Sequence, residues 1–361
     1  MTNICFLLGG FQGNGGIGRV TSVLANRLCR EPEYAIHTVS YMEDSRPILY
    51  AMDSLVKKHA LFNSSISMAK AMLFRNVVGK LKRIIEDEKI DVIVACGALF
   101  YPIAIMAARA KKIKCICWEH TNPSVTNDYN FQGIARKYAV KKADKIVVLT
   151  KSAEKYYGSI LGASSERLCQ IYNPISENAG TSLSYCLDSQ KIISVGRLSY
   201  PKNFDLLIDI AAEVLPKYPG WTWDIFGSGE EYDSLLSKIK AKGLEGRVNL
   251  LGQVSDLYDR YPNYSFQVMT SRYEGFPMSL IEGMANRLPL ISFDIETGPD
   301  EIIQDGVNGF LVPPENREEM ADRVCRLIES PSLRKEFSEA SYAFRTKYNL
   351  ESIVLQWKEL L

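Results

Sequence analysis

The sequence predicts an α/β protein built from two doubly wound domains, and three observations lead there. Strand-like runs alternate with segments of helical periodicity for most of the 361 residues. The composition, 46% hydrophobic and 24% charged, is that of an ordinary globular chain. A polar stretch without sustained periodicity then divides the chain near its middle. Strand candidates in the first half are 4–8, 35–40, 91–95, 114–118 and 145–149. Those in the second half are 191–195, 222–226, 248–251, 266–269, 289–293 and 310–312. Each set is enough for its own parallel sheet. Between them Tyr172-Asn173-Pro174-Ile175 leads into the polar stretch 176–189, with Gly180 and several serines. The domains are therefore expected at 1–173 and 174–344. Beyond the second, Ile353, Val354, Trp357, Leu360 and Leu361 recur at helical spacing, so the last segment is expected to dock rather than dangle.

Charge and cysteine usage narrow the function classes. The net charge is +1, but residues 1–175 carry 24 basic against 14 acidic side chains, and residues 176–361 carry 19 against 28. A basic half beside an acidic one suits a face that meets phosphate, nucleic acid or an anionic leaflet, or simply helps two domains dock. The longest apolar stretches, such as 90–100 and 145–150, fall short of the roughly 20 residues that cross a bilayer. The N-terminus enters a strand directly with no signal-peptide pattern, so secretion is not expected. Eight scattered cysteines without a C-x-x-C pair read as reduced core residues of a cytoplasmic protein.

After the first strand, Gly13-Asn14-Gly15-Gly16-Ile17-Gly18-Arg19 opens a helix through Val20, Leu24 and Leu28. The spacing fits the dinucleotide fingerprint G-x-G-x-x-G, in which glycine lets backbone N–H groups approach a phosphate. Glycine-rich turns also arise for steric reasons alone. The NAD reading further wants an acid ending the second strand, where Ser40-Tyr41-Met42 precedes Glu43 and Asp44. No GK[ST] follows, which excludes a nucleoside-triphosphate P-loop. In the second half, Val195-Gly196-Arg197-Leu198 leaves a strand and Pro201-Lys202-Asn203 enters a helix. Two cations thus flank a turn at the carboxyl edge of the sheet, and an Arg fork with a Lys point charge suits a diphosphate.

The most specific segment runs from Ser271 to Ala285, where Glu274 and Glu282 lie eight apart with Gly275-Phe276-Pro277-Met278 between them. The spacing predicts Glu274 in a loop and Glu282 in the first turn of a helix, with Ser279-x-x-Glu282 available as a capping box. Carboxylates accept from vicinal hydroxyls, and free backbone N–H groups nearby hold phosphate, a pairing suited to a sugar nucleotide.

Taken in order, Gly-Gly-Ile-Gly-Arg, Glu119-His120-Thr121, Asn173-Pro174-Ile175, Val195-Gly196-Arg197-Leu198 with Lys202-Asn203, Phe226-Gly227-Ser228-Gly229 and Glu274-(x7)-Glu282 resemble the retaining glycosyltransferases of family four. The match is collinear over nearly the whole chain, and the second half carries the more specific motifs. The resemblance implies the GT-B fold, two Rossmann-like domains facing a central cleft. The first domain would bind the acceptor, with a C-terminal helix near 345–361 packing back onto it, and the second would bind the donor. It implies that Arg197 and Lys202 hold the donor diphosphate and that Glu274 faces hydroxyls of the transferred sugar. Glu282 would bind ribose, and Gly227, Gly229 and the backbone from Gly275 through Phe276 and Pro277 to Met278 would line the donor site. Gly15, Gly16 and Arg19 would contact the diphosphate and His120 the donor sugar, although a strand-end histidine bonded to backbone is also consistent. Neither a dedicated nucleophile nor a metal is implied; Asp294-Ile295-Glu296 is a poor substitute for a D-x-D. Gly283 departs from the alanine of many relatives.

The expected activity is transfer of a hexose or N-acetylhexosamine from a UDP-sugar, rather than a GDP-sugar, to a lipid-linked or growing cell-envelope glycan. The rivals are a non-catalytic sugar-nucleotide-binding subunit, a GT-B epimerase and a Rossmann dehydrogenase. The basic amphipathic stretch 68–83 suggests peripheral membrane contact, or a surface helix whose apolar face meets the core. No stacking pattern or module points to nucleic acid.

Overall fold

The computed structural model describes residues 1–11, 15–43, 50–63, 74–125, 130–176, 179–180, 185–254 and 257–361. They form two compact units, Met1–Pro174 with Leu350–Leu361, and Ile175–Asn349.

The first unit contains β1 (Thr2–Leu8), α1 (Gly16–Leu28), β2 (Tyr34–Glu43), β3 (Lys57–Asn63), α2 (Phe74–Asp87), β4 (Val92–Cys96), β5 (Lys114–Trp118), α3 (Phe131–Lys142), β6 (Lys145–Val148) and β7 (Leu168–Gln170). Its sheet runs β3-β2-β1-β4-β5-β6-β7, with every pair parallel. Helices on the faces of a parallel sheet leave the central strands dry on both sides, and all five residues of β4 are buried. Strands β3 and β7 escape the sequence reading. The first opens with two lysines and a histidine at the sheet edge, and the second is three residues long.

The second unit contains β8 (Lys191–Val195), α4 (Phe204–Val214), β9 (Thr222–Phe226), β10 (Val248–Gly252), β11 (Phe266–Met269), α5 (Met278–Ala285), β12 (Leu290–Phe293) and β13 (Gly309–Val312). The order β10-β9-β8-β11-β12-β13 is the doubly wound 3-2-1-4-5-6 arrangement. The winding reverses between β8 and β11, the place where such sheets bind ligands at their carboxyl ends.

The terminal helix α6 (Leu350–Lys358) belongs to the first unit. It buries Ile353, Val354 and Trp357, whose ring meets Trp118 edge-on with centroids 4.8 Å apart. Glu351 pairs with Arg27 at 2.7 Å, and Lys358 with Glu31 at 2.6 Å and Glu33 at 2.7 Å.

The structure bears on one open alternative and corrects one expectation. Residues 68–73 lie outside the described residues, and the rest of the basic stretch forms α2, whose Val77, Val78, Leu81 and Ile85 are buried. That apolar face belongs to the core, and Lys80 reaches over the Phe62 ring to the Leu61 carbonyl, 2.7 Å away. The cysteines are all free, with Cys5, Cys96, Cys115 and Cys117 buried, but Cys186 is exposed rather than a core residue.

Candidate active site

In the second unit the loops after β8 and β11 meet through backbone contacts. Arg272 N–H donates to the Pro201 carbonyl at 2.8 Å, and Thr270 Oγ1 lies 3.2 and 3.1 Å from the carbonyls of Lys202 and Asn203. The Arg272 guanidinium donates to the Tyr200 carbonyl at 2.7 Å and lies over the Tyr200 ring. Asn203, at φ 55°, turns the chain into α4. Lys202 is thereby fixed at the start of a helix, facing the loop that holds Glu274.

The two side chains form an ion pair, Lys202 Nζ donating to Glu274 Oε1. Ser271 Oγ donates to the same oxygen at 2.7 Å, and Thr297 Oγ1 donates to the Glu274 carbonyl. The carboxylate is therefore held from two sides while the pair keeps partial access to solvent, at 23% and 11% side-chain exposure. Arg197 differs: it is exposed, and among the described residues its guanidinium has no partner. The loop pair thus presents one neutralised pair and one available cation, an arrangement that attracts an anion without leaving a carboxylate unbalanced.

The glycines around Arg197 have packing reasons. A Cβ at Gly227, which has φ +145°, would collide with the Gly196 carbonyl, and one at Gly229 with the Leu198 carbonyl. Their absence lets Leu198 N–H donate to the Ser228 carbonyl and Gly196 N–H to the Phe226 carbonyl, each at 3.0 Å. A Cβ at Gly196 would lie 3.2 Å from Lys202 Cδ, so glycine leaves room for the lysine stem. Gly227 and Gly229 accordingly shape the Arg197 loop.

The Gly-Phe-Pro turn behaves similarly. Phe276 is buried with its ring against Tyr348, and Gly298, at φ +100°, allows the segment after β12 to approach Pro277. Helix α5 begins at Met278 with Pro277 at its N-cap and no side-chain cap. The expected capping box is therefore absent: Ser279 is already helical, and Glu282 stands in the second turn rather than the first. Its side chain is buried, with the Tyr261 hydroxyl 3.4 Å from Oε2. Gly283 is explained by Gln267 on β11, whose Oε1 occupies the space a Cβ would take, while Nε2 donates to the Ser279 carbonyl at 3.0 Å.

In the first unit, Gly13 and Asn14 lie outside the described residues. Gly15 caps α1, and a Cβ at Gly15 or Gly16 would meet nothing within 4 Å, so neither glycine is demanded by packing. Gly18 packs its Cα side toward the Gly10 carbonyl, and Arg19, on the first turns of α1, is half-buried. His120 follows β5, its ring 4.2 Å from that of Trp118. Nε2 is shielded from solvent and has no hydrogen-bond partner among the described residues, contrary to the picture of a backbone-satisfied histidine. Burial lowers its pKa to about 3 despite the neighbouring Glu119 charge, so the imidazole is neutral at physiological pH.

A buried network missed from the sequence positions His120. Glu119 accepts from Arg136 Nε at 2.6 Å, Tyr157 Oη at 2.7 Å and Thr121 Oγ1 at 2.7 Å. It also accepts from the backbone N–H of His120 and Thr121, each at 3.1 Å. Burial alone would raise this carboxyl, but the Arg136 charge and these bonds together hold it below the usual range. Arg136 sits mid-helix on α3 and Tyr157 is 38 residues from Glu119, so only the fold brings them together.

Comparison with known proteins gives the family and the fold. The family model described as "Glycosyl transferases group 1" matches residues 186–344, and "Glycosyltransferase Family 4" matches 14–178. The chain is 30% identical to the amylovoran biosynthesis glycosyltransferase AmsD of Erwinia amylovora, covering 100% of both chains. It is 29% identical to the poly(ribitol-phosphate) alpha-N-acetylglucosaminyltransferase of Staphylococcus aureus over 78% of this chain and 57% of that protein. Among solved structures, S. aureus TarM in complex with fondaparinux, alpha-GlcNAc-glycerol and UDP superposes with a TM-score of 0.83 at 18% identity, covering 100% of this chain and 99% of that one. The fold is therefore GT-B, and the full-length likeness to AmsD with the two family matches places this chain in the group 1 glycosyltransferase family.

Proposed function

We propose that this enzyme transfers a hexose or N-acetylhexosamine from a UDP-sugar to a hydroxyl of a lipid-linked or growing cell-envelope polysaccharide, with retention at the anomeric carbon. The observation that carries this reading is the Lys202–Glu274 pair beside the exposed Arg197, set where β8 and β11 reverse the winding. The relatives support the donor and acceptor classes: one is named for amylovoran biosynthesis, one for an α-N-acetylglucosaminyl transfer to poly(ribitol-phosphate), and the TarM complex contains UDP.

In this mechanism Arg197 and Lys202 meet the donor diphosphate and stabilise the charge that grows on it as the glycosidic C–O bond breaks. The backbone N–H groups from Gly275 to Met278, leading into α5, face the phosphate and sugar. Glu274, fixed by Lys202 and Ser271, accepts from a hydroxyl of the transferred sugar, and Glu282 takes the ribose hydroxyls. Within the first unit, Gly15, Gly16 and Arg19 at the start of α1 suit a phosphate, and the neutral His120 suits a sugar hydroxyl without adding charge. The acceptor hydroxyl attacks the face the diphosphate leaves, and its proton passes to the leaving phosphate oxygen. Two cations and a helix N-terminus carry the diphosphate charge, so the reaction as proposed requires no metal.

Peripheral contact with an anionic cytoplasmic leaflet is part of the same proposal. It is supported by a concavity of about 610 Å³ in the first unit, where six basic side chains, Arg109, Lys112, Lys114, Lys141, Lys142 and Arg167, outnumber the single acid Asp144. The direct test is transfer from α-linked UDP-sugars to a lipid-linked glycan, with the product's anomeric configuration read by NMR. An α-linkage supports retention, and a β-linkage removes it. Release of UDP with a free epimerised sugar and no glycan product would favour the epimerase.

A further inference from the structure

The first unit carries a second cluster of chemistry-bearing side chains, away from the loops that follow the strands' carboxyl ends. His37 lies in β2 beside the first residue of β3, and His59 lies two residues further along β3, so both project on one face. Their rings stack with centroids 5.5 Å apart, and His37 Nδ1 is 3.3 Å from His59 Nε2. Glu88, just after α2, reaches the pair from the helix layer. Its Oε2 is 3.8 Å from His37 Nδ1 and its Oε1 is 4.0 Å from His59 Nε2. One ligand atom from each of the three residues lies within 4.8 Å of the others. Two of the protein's three histidines are thus spent on one carboxylate.

We propose that His37, His59 and Glu88 bind a divalent transition-metal ion of the zinc type, which ties the edge strand β3 to β2 and to the end of α2. A tetrahedral ion with bonds of about 2.0–2.1 Å places neighbouring ligand atoms about 3.3–3.4 Å apart, and the two imidazole nitrogens already have that spacing. The carboxylate oxygens need to close by roughly half an ångström. Two imidazoles with one carboxylate suit zinc and its neighbours in the series, whereas magnesium and calcium want oxygen. His37 is fully buried, and its other ring nitrogen has no hydrogen-bond partner among the described residues, so the polar interactions of the ring rest on the cluster. His59 and Glu88 keep 19% and 26% side-chain exposure, which provides an entry path and a place for a water as fourth ligand. Burial leaves both imidazoles neutral at physiological pH, the form that ligates. Lys57, 62% exposed and 2.9 Å from Glu88 Oε2, competes with the ion for that oxygen and can swing into solvent.

The site stands within β2 and β3 at the sheet edge and at the end of α2, whereas the glycine loop follows the carboxyl end of β1 and His120 that of β5, so its role is to hold the fold rather than to transfer sugar. The test uses the untagged full-length chain, stripped by chelator, with Co²⁺ and Zn²⁺ alone as probes. One equivalent of Co²⁺ is expected to give the d–d absorption of a low-coordinate site with no thiolate charge-transfer band, and Zn²⁺ is expected to raise Tm. Glu88→Gln and His59→Gln should each weaken Co²⁺ binding at least about tenfold. Lys57→Ala should tighten it, and His120→Gln should leave it unchanged. Glu88→Gln alters a partly exposed side chain after the end of α2 and is expected to fold if His59→Gln does not. Absence of stoichiometric binding, a thiolate band, or unaltered affinity in the Glu88 variant overturns the proposal.

Discussion

The pairing of Lys202 with Glu274 makes Lys202 and Arg197 unequal partners of a diphosphate. Removing Arg197 deletes an exposed cation and should leave Tm nearly unchanged, within about 0.5 kcal/mol of stability. Removing Lys202 also releases the Glu274 carboxylate beside the leaving group, adding repulsion to the lost attraction. Lys202→Ala is therefore expected to lower kcat about 10²–10³-fold with the fold intact, and near wild-type turnover would remove Lys202 from the mechanism. Glu274→Ala should weaken UDP-sugar binding more than UDP binding; equal losses in calorimetry would contradict its role at the sugar. The loop placement of these three charged residues was legible in the sequence because each sits at a strand-to-helix turn with a fixed offset from its neighbour. The pairing was not legible, since Lys202 and Glu274 lie 72 residues apart and meet only across β8 and β11.

At the scale of elements, α5 shows where sequence rules and packing part company. A serine three residues before a glutamate satisfies the pattern of a capping box, yet the helix starts two residues earlier, with Pro277 and its fixed φ at the N-cap, and both side chains enter the helix. The edge strands β3 and β7 were missed for related reasons, because pairing on one side alone tolerates charge and brevity that a central strand does not. The strands 114–118, 191–195, 222–226 and 266–269 were read with their observed limits because dry parallel strands are short apolar runs with abrupt ends. Gly283 gives this element its own test. Gly283→Ala should cost about 1–3 kcal/mol in denaturant unfolding by driving a methyl into the Gln267 amide. Combining it with Gln267→Ala should recover part of that loss in a double-mutant cycle, whereas strict additivity would show that the two positions do not touch.

For the whole molecule, the buried neutral histidines link stability to pH. Burial lowers His37 to about 4 and His120 to about 3, against an ordinary value near 6.5. The unfolded chain therefore binds protons that the folded chain refuses between those limits, so stability is complete above about pH 6.5 and falls as pH drops towards 4. Each unit of depression corresponds to about 1.4 kcal/mol. With chelator present, Tm should decline over that window, and His120→Gln should flatten the slope; identical profiles would place His120 in water. Glu119 adds a loss at lower pH, because its depressed carboxyl stabilises the fold above about 4.5 and ceases to do so as pH falls through its folded value.

The account's central claim is a UDP-sugar site built on Arg197, Lys202 and Glu274. Titration calorimetry of the full-length protein with UDP, GDP, a panel of UDP- and GDP-sugars and NAD, without added metal, tests it most directly. The account predicts selective binding of UDP and of one UDP-sugar, weakened in Lys202→Ala and matched by a rise in Tm through mass action. Binding of NAD alone, of no nucleotide, or of UDP with undiminished affinity in the Lys202 variant would contradict it.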